Sequence, residues 1–348
     1  MIGLKNKVTI HHVAQKAGVS KSTVSQFLNG RYDYMGEETK KRIAQVIKEL
    51  NYQPNEIARS LKRKTTSTIG VIVANILHSF STQVIRSIEN FFHEHGISTI
   101  ICNADDKPEK ELHYIQTLLS KQVDGLIVIP MVENAKRYNQ LIKKKYPIVF
   151  LDRMIEQVPT ESILLDNERA AELAINHLIE SGYRNISILS PPVKAGITPR
   201  IERVNGYKKA LEAHTIPVRQ ELIRHADFAK MQETLEQLFS IETPPDAIFA
   251  GNDLTLIEIL TYLKRNNLKI GKDVGIVTID EVDYAPFFKP SLTTLKQPTF
   301  DMGRKAAEIL LAKIRNEPMK GEKIIRYQAE LIVRSSSTPK NYKSNTIV

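Results

Sequence analysis

The sequence predicts an α/β chain, in which a small all-α module at the N-terminus precedes a larger body of parallel sheets flanked by helices. Its 348 residues exceed the ~250–300 at which a single hydrophobic core stops growing, so two or more domains are expected. The first fifth of the chain shows helical periodicity, whereas the remainder alternates β-rich runs with amphipathic stretches. Such alternation predicts parallel strands with helices on both faces, divided between two sheets.

Three helices are predicted in the N-terminal module. The apolar residues of the first helix recur at helical spacing and are Ile10, Val13, Ala14 and Ala17. Ser20 has the short hydroxyl of an N-cap for a second helix at 21–28, and a third helix is predicted at 37–50. Glycines follow the first and second helices and end them. Two helices joined by a tight glycine-containing turn and supported by a third describe a helix-turn-helix.

A short basic segment connects this module to the body. Pro54 suits the start of a helix, and residues 55–62 can form two turns. A helix of this length is marginal alone in water, so we expect it to become ordered only when it is bound to a partner. The run Lys62-Arg63-Lys64, followed by threonines and a serine, predicts a linker.

The body contains seven predicted strands, at 69–73, 98–102, 123–129, 147–151, 186–189, 247–250 and 274–279. Amphipathic stretches between them, such as 167–181, predict helices. Ligands of such folds lie beyond the carboxyl ends of the strands, so polar residues at those ends are candidate ligand contacts. The chain ends in a polar segment that we expect to be a frayed tail.

The positive charge is concentrated at the N-terminus. The first 66 residues hold 13 Lys and Arg against five Asp and Glu, whereas the remaining 282 residues hold 36 against 34. A small basic module on a nearly neutral body predicts a polyanionic partner, with nucleic acid the leading candidate. A merely solvated basic surface is the alternative.

The composition excludes several classes of protein. With 42% hydrophobic and 25% charged residues, the chain is globular rather than disordered. No apolar run approaches the ~18–20 residues of a membrane helix, and the N-terminus lacks the pattern of a signal peptide. The single cysteine, Cys102, can form no internal disulfide, which fits a reducing compartment. We therefore expect a cytoplasmic protein without a membrane partner.

Signatures of catalysis are missing. The sequence contains no G-x-G-x-x-G, no G-x-x-x-x-G-K-[ST], no G-x-S-x-G and no H-E-x-x-H motif. The histidine clusters His11-His12 and His93-Glu94-His95 are not spaced to face one metal from a helix, where neighbours lie three and four residues apart. We therefore predict no catalytic residue, no metal and no cofactor.

Two N-terminal segments carry a specific pattern, VTIHHVAQKAGVSKSTVSQFLNG and ELNYQPNEIARSLKRK. This pattern resembles the lac-repressor family of bacterial transcription regulators, in which A-G-V-S-x-x-T-V-S opens the recognition helix and N-Y-x-P-N-x-x-A-x-x-L forms the hinge. The resemblance extends over almost the whole chain, through VDGLIV, LDR, R-x-x-G, AGND and TTLKQP followed by MG. It implies a repressor of carbohydrate genes, with a periplasmic-binding-protein-like body that binds a small effector.

The candidate DNA-binding residues lie on the second helix and in the hinge. Four side chains point away from the apolar stripe of the second helix and can reach base edges in a major groove, while Ser20 and Thr23 are placed to hold phosphate. The full predicted set is Thr9, Ser20, Lys21, Ser22, Thr23, Ser25, Gln26, Asn29, Asn55, Ala58, Arg59 and Leu61. The alternative is the solvated face of a structural helix.

Two of these positions have distinct predicted roles. The family more often carries Arg at the position of Gln26, and because Gln pairs with adenine where Arg prefers guanine, the preferred operator base is expected to differ. By the resemblance, Leu61 is a wedge inserted at a central minor-groove step, while Asn55 and Arg59 bind the DNA backbone. Packing of Leu61 as a linker anchor is the alternative.

The candidate effector residues are polar groups at or near predicted strand ends, together with an apolar cover. By the resemblance, the matching positions converge between two subdomains; they are Asn75, Phe80, Asp152, Arg153, Arg203, Asn252 and Asp280. Asp and Asn suit sugar hydroxyls, and two arginines, with Arg200 nearby, favour a sugar acid or a phosphorylated sugar. Arg153 could instead form a structural ion pair, and Asp253 is expected to cap the following helix rather than contact the ligand.

The resemblance also implies a homodimer, because a palindromic double-stranded operator presents two half-sites. We divide the chain into a headpiece at 1–54, a hinge helix and linker at 55–67, an effector-binding and dimerisation domain at 68–335, and a polar tail at 336–348. Two other classes fit the body alone. One is a sugar-binding protein of periplasmic type without a transcriptional role, and the other is an α/β enzyme that uses Asp152 and Asp280 as acid and base. The basic headpiece argues against both.

Overall fold

The computed structural model describes residues 8–33, 35–52, 65–193, 197–318 and 321–338. The chain divides into two compact units, Met1–Ser67 and Thr68–Val348. In the described residues, no helix has both the length and the apolar character needed to cross a membrane.

The N-terminal unit contains three helices, which are α1 (Ile10–Lys16), α2 (Lys21–Leu28) and α3 (Glu37–Glu49). They enclose a small core formed by Val13, Ala14, Ala17, Val24, Ile43, Val46 and Tyr52. Gly18 and Gly30 follow α1 and α2 with φ of +64° and +68°, a left-handed conformation that glycine adopts without a steric penalty. The helix-turn-helix predicted from the sequence is confirmed, and α2 has the predicted bounds.

The second unit alternates strands and helices. The strands are β1 (Thr68–Val73), β2 (Ser98–Asn103), β3 (Leu126–Val128), β4 (Ile148–Leu151), β5 (Ser162–Leu165), β6 (Ile186–Ser190), β7 (Ile223–His225), β8 (Ala247–Ala250), β9 (Gly275–Ile279), β10 (Thr293–Lys296), β11 (Ile324–Tyr327) and β12 (Glu330–Ile332). The helices are α4 (Ser79–Glu94), α5 (Pro108–Ser120), α6 (Ala135–Lys143), α7 (Asn167–Glu180), α8 (Thr198–Ala213), α9 (Met231–Phe239), α10 (Asp253–Arg265) and α11 (Thr299–Ile314). Short 3₁₀ turns occupy Val132–Asn134, Gln220–Leu222, Phe228–Lys230 and Ser335–Ser337.

These strands form two six-stranded sheets, each the centre of a subdomain. The first subdomain has the strand order β11-β5-β4-β3-β1-β2, with every pair parallel. The second has the order β12-β10-β9-β8-β6-β7, and only β12 runs antiparallel to its neighbour. Buried apolar residues on both faces of each sheet pack against helices. The predicted α/β class with two parallel sheets is confirmed.

The chain passes between the subdomains three times, after β5, after β10 and after β11. The carboxyl ends of strands from both sheets therefore face a shared cleft, which is where ligands of parallel sheets bind. Polar side chains that follow these strands become neighbours although they lie far apart in sequence.

The predicted start of the polar tail, at residue 336, was wrong. Ser336 and Ser337 are fully buried. The hydroxyl of Ser336 donates to the carbonyl of Ile276 at 2.7 Å and accepts from the amide of Thr293 at 2.8 Å, so this segment belongs to the second subdomain. Its serines suggested exposure, but β9 and β10 satisfy their hydrogen bonds, which removes the penalty for burying them.

Candidate functional site

The outward face of α2 carries the predicted base-reading side chains. Lys21, Ser22 and Gln26 are exposed and Ser25 is half-buried, while Val24 lies fully buried on the opposite side. Because residues three and four apart share one face of a helix, Ser22, Ser25 and Gln26 form a contiguous polar surface. A helix presenting such a surface is the element that enters a major groove in helix-turn-helix proteins.

The remaining predicted headpiece residues cap helices. Ser20 precedes α2, and its hydroxyl accepts a hydrogen bond from the amide of Thr23 at 3.1 Å, which confirms the predicted N-cap. The amide of Thr9 donates to His12 Nδ1 at 3.0 Å at the start of α1. Asn29 Nδ2 donates to the carbonyl of Ser25 at 2.7 Å at the end of α2. The predicted hinge contacts lie outside the described residues and are Asn55, Ala58, Arg59 and Leu61.

A polar cleft lies between the two subdomains. Six of the seven predicted effector residues line it, and these are Phe80, Asp152, Arg153, Arg203, Asn252 and Asp280. The seventh, Asn75, is not among the lining residues; its Oδ1 accepts from the amide of Leu77 at 2.9 Å in the turn after β1.

Two aspartates occupy equivalent positions at the ends of β4 and β9. Asp152 and Asp280 have φ of +63° and +76°, a conformation that costs energy for residues other than glycine and that clusters at ligand sites. Burial raises the pKa of Asp152, although the positive charges of Arg153 and Arg203 oppose it. Burial, with the charge of Asp253, raises the pKa of Asp280 to about 6. Both carboxylates are held in the cleft at an energetic cost.

Asp280→Asn is expected to stabilise the protein at pH 8 and to lose about half of that advantage by pH 5. The folded pKa of about 6 exceeds the ordinary 3.8, so between these values the folded state binds more protons, and wild-type stability rises as the pH falls. The difference corresponds to roughly 3 kcal/mol at most above pH 7. Thermal unfolding at pH 5, 6, 7 and 8 measures it, with the exposed Asp283→Asn as control. A difference in melting temperature that does not change with pH would contradict the assignment.

Arg153 is incompletely satisfied by the protein. Its Nη2 donates to Asp106 Oδ1 at 2.8 Å, and its Nε lies 3.8 Å from Asp152 Oδ2, too far for a hydrogen bond. Its Nε and Nη1 are buried and have no hydrogen-bond partner within the described residues. The expected alternative, a structural ion pair, therefore accounts for one part of this side chain, and two donors remain for a ligand.

Arg203 is held from two sides. The side chain is 7% exposed, and it begins on α8, whose Tyr207 and Leu211 are buried in the second subdomain. Its Nε donates to Asn167 Oδ1 at 2.9 Å and its Nη1 to the carbonyl of Gly251 at 2.6 Å. Both partners are neutral, so within the described residues the positive charge of Arg203 has no hydrogen-bonded counter-ion and stays available to a ligand or to Asp280.

The predicted roles of Asn252 and Asp253 were wrong in one respect. Asn252, not Asp253, caps α10: its Oδ1 accepts from the amide of Thr255 at 2.7 Å. Asp253 instead crosses the cleft to the first subdomain, where its carboxylate oxygens lie 2.5 Å from His78 Nδ1 and 2.6 Å from the amide nitrogen of Ser79. That amide lies in the first turn of α4, where backbone N–H groups have no acceptor within the helix, and a carboxylate is a favourable partner for it.

Some of the charged and polar residues that line or bridge the cleft were not among the predicted contacts. They include His78, Asp106, Arg200 and Gln297. Asp106 and Gln297 follow β2 and β10, so the rule that picks out strand-end polar residues applies to them as well. No local pattern identifies His78 as a partner of Asp253. Within the described part of the chain, no group of three or more His, Cys, Asp or Glu side chains is placed to hold a metal ion.

A basic helix-turn-helix unit, followed by a two-sheet body with a polar cleft, defines a DNA-binding transcriptional regulator with a ligand-binding module. Residues 9–55 match the model for bacterial regulatory proteins of the lacI family, and residues 175–337 match that for a periplasmic binding protein-like domain. The chain belongs to the LacI family of bacterial transcriptional regulators.

Similar proteins support this assignment. A Paenibacillus polymyxa protein named "Probable HTH-type transcriptional regulator EndR" is 47% identical over 307 residues, which cover 88% of this chain and 90% of the relative. The Lac repressor bound to ONPG in the repressed state has a TM-score of 0.82 at 26% identity, covering 95% of this chain and 100% of that one. A LacI family regulator from Enterococcus faecium with bound ribose has a TM-score of 0.70 at 28% identity. The match covers 78% of this chain and 99% of that one.

Proposed function

We propose that this regulator represses carbohydrate-utilisation genes and that a sugar or sugar acid in the cleft changes its affinity for operator DNA. The observation that carries the proposal is the combination, in one chain, of an exposed polar recognition helix and a cleft lined by aspartates, amides and arginines. These cleft residues suit the hydroxyls of a sugar and the carboxylate of a sugar acid. The Enterococcus faecium relative with bound ribose supports a sugar-type ligand.

In this proposal, the effector regulates DNA binding because ligand binding is coupled to the arrangement of the two subdomains. Contacts that bridge the cleft include those of Asp253 with His78 and the amide of Ser79, and that of Asp106 with Arg200. A ligand that contacts both subdomains competes with these bridges or reinforces them, and so it favours one arrangement over another. Because binding free energies are reciprocal, operator DNA and effector then change each other's affinity.

On DNA, we place α2 in the major groove of each half-site, with Lys21, Ser22, Ser25 and Gln26 toward the bases. Phosphate contacts are assigned to Thr9, Ser20, Thr23 and Asn29, and hinge contacts to Asn55, Ala58, Arg59 and Leu61. Residues of these types carry both kinds of contact in protein–DNA complexes. Because operator DNA is the proposed partner, we propose a cytoplasmic location.

We further propose that two copies act together on a palindromic operator. Large apolar side chains are exposed on the second subdomain, with Phe287 at 82%, Ile257 at 46% and Tyr284 at 38%. Exposed apolar groups of this size are typical of protein–protein contacts. The cleft groups serve binding, and no catalytic role is assigned to Asp152 or Asp280.

A gel-shift experiment tests the proposed function. Full-length protein is titrated against fragments of the DNA upstream of its own gene, with a scrambled fragment of equal length as control. If the protein is a regulator, it shifts the mobility of one fragment at protein concentrations at which the scrambled fragment remains unbound. If all fragments are shifted equally, or none is shifted, the alternative class, a sugar-binding protein of periplasmic type, would be favoured.

Gln26→Arg is expected to move the preferred base at one symmetric operator position from A toward G. Glutamine pairs with the N6 and N7 of adenine, whereas the guanidinium of arginine matches the two acceptors of guanine, and each such pair contributes about 1–3 kcal/mol of discrimination. Selection from a randomised operator library measures the preference for wild type and variant. Glu38→Gln, on the exposed surface of α3, serves as the matched control. An unchanged preference would remove Gln26 from the base-reading residues.

A further inference from the structure

We propose that Asp106 sets the charge of the effector, so that the cleft takes a hydroxylated ligand with a single carboxylate, bound at Arg153 beside Arg200. The proposal rests on the proposed function, because it concerns the same cleft. It goes further by naming the chemical class of the ligand and the residue that selects it.

Asp106 is a carboxylate shared by two guanidinium groups from opposite sides of the cleft. Its Oδ1 accepts from Arg153 Nη2 at 2.8 Å, and its Oδ2 accepts from Arg200 Nη2 at 3.0 Å. Asp106 and Arg153 follow β2 and β4 of the first subdomain, whereas Arg200 belongs to α8 of the second. Burial raises the pKa of Asp106, but the two arginines outweigh it and hold that pKa below its ordinary value. Asp106 is therefore ionised and joins the subdomains.

This triad carries one positive charge more than its single carboxylate offsets. The neighbouring carboxylate, Asp152, lies 3.8 Å from Arg153 Nε and forms no hydrogen bond with it. Asp152 therefore leaves the Nε and Nη1 donors of Arg153 without an acceptor within the described residues. An uncompensated charge in a buried site is costly, so a ligand that supplies one negative charge there is favoured.

The unsatisfied atoms specify the rest of the ligand. Arg153 is 6% exposed, and its Nε and Nη1 need acceptors. Gln297 is 5% exposed; its Nε2 donates to Asp280 Oδ1 at 2.6 Å, while its Oε1 has no partner within the described residues and needs a donor. An ionised carboxylate only accepts hydrogen bonds, so the ligand needs a separate donor at Gln297, a role that a hydroxyl fills. One molecule that satisfies both ends is a polyhydroxy acid.

The net charge of the ligand distinguishes a polyhydroxy monocarboxylic acid from a neutral sugar and from a sugar phosphate. A neutral sugar can donate to Gln297, but it leaves the excess charge of the triad in place. A phosphate monoester carries about −1.5 to −2 charges at pH 7 and overcompensates it. Removing the charge of Asp106 raises the excess to two, so the preferred ligand is then a dianion.

The experiment compares ligands that share one carbon skeleton and differ in charge. Full-length protein is titrated with glucose, gluconate, glucarate and glucose 6-phosphate, and with the corresponding galactose series, ketoaldonates and uronates. Thermal shift identifies binders and calorimetry measures their affinities. Wild type is expected to bind a monocarboxylate at least about tenfold more tightly than the neutral or dianionic partner of the same skeleton. A preference for the neutral sugar or the phosphate, or no response to any acid, would overturn the proposal.

Variants test the roles of the individual residues. Asp106→Asn keeps the shape and one acceptor, and it is expected to shift the preference toward the dicarboxylate by about tenfold. Arg153→Gln is expected to abolish the preference for acid over neutral sugar, while Arg153→Lys retains part of it if the fold is intact. Arg169→Gln, on the exposed side of α7, is the control. An unchanged ligand order in Asp106→Asn would overturn the assignment of Asp106.

Failure of this proposal is distinguishable from failure of the proposed function. A protein that binds its operator and responds only to a neutral sugar keeps the proposed function and overturns the charge assignment. If the protein prefers a monocarboxylate over the neutral and dianionic ligands but binds no DNA fragment specifically, the charge assignment stands and the regulatory function is overturned.

Discussion

Arg203→Ala is expected to weaken effector binding by about 1.5–3 kcal/mol, the range for a hydrogen bond to a charged group, which is about ten- to 150-fold in affinity. The guanidinium lies between Asn167 and Gly251 at the edge of the cleft, and both of its protein partners are neutral. Its charge therefore remains to be matched by the ligand and by Asp280. Binding of operator DNA without effector is expected to change little, because the headpiece is a separate compact unit.

Calorimetry with the effector identified by ligand screening measures the loss for Arg203. Truncation also leaves Asn167 and the carbonyl of Gly251 without a donor, so the melting temperature of the variant is recorded alongside. Arg203→Lys retains the charge and separates its effect from the geometry of the guanidinium. Arg169→Ala, exposed on α7, is the matched control. Wild-type affinity in Arg203→Ala, or loss of operator binding with the fold intact, would assign Arg203 another role.

Gly206→Ala is expected to lower the free energy of unfolding by about 3 kcal/mol, the upper part of the range for overpacking. A Cβ at this position would lie 2.2 Å from the carbonyl oxygen of Glu168 and 2.9 Å from Ala171 Cβ. The carbonyl is part of the backbone of α7, so it cannot move unless the whole of α7 shifts away from α8.

Chemical denaturation monitored by circular dichroism measures the effect at Gly206. The same separation of α7 from α8 strains the hydrogen bond from Arg203 to Asn167, so effector affinity falls together with stability. Asn205→Ala, the exposed neighbour on α8, is the control and is expected to change stability by no more than about 0.5 kcal/mol. Equal stabilities of Gly206→Ala and wild type would show that the two helices are not in rigid contact.

The headpiece was predictable from the sequence because its determinants are local. These determinants are the apolar stripes of the helices, the hydroxyl of Ser20 that accepts from Thr23, and Gly18 and Gly30 in the left-handed conformation. Each of them depends only on residues a few positions away along the chain. Strands of the body were recognisable as β-rich runs, and β8 was predicted with its observed bounds. Strands β5, β7, β10, β11 and β12 were not identified, since their sequences lack long apolar runs or end in exposed residues.

The cleft was predictable in part. Parallel strands bring their carboxyl ends to one edge, and this rule alone selects Asp152, Asn252 and Asp280 as candidate contacts. It does not say which of two adjacent polar residues performs which task. Asn252 caps α10 while Asp253 reaches across to His78, and this division depends on where α4 begins in the other subdomain.

The sequence by itself determined the helix-turn-helix, the α/β class, the charge asymmetry and six of the residues that line the cleft. Only the tertiary structure decided the partners: Asp253 pairs with His78 across 175 residues, and Asp106 pairs with Arg200 across 94. Strand order and the three passages between the sheets set these distances, and no local periodicity encodes them. Burial in the assembled cleft then raised the pKa of Asp280 and left two donors of Arg153 without a partner in the part of the chain that the structure describes. Both effects arise only when the two subdomains exclude water together.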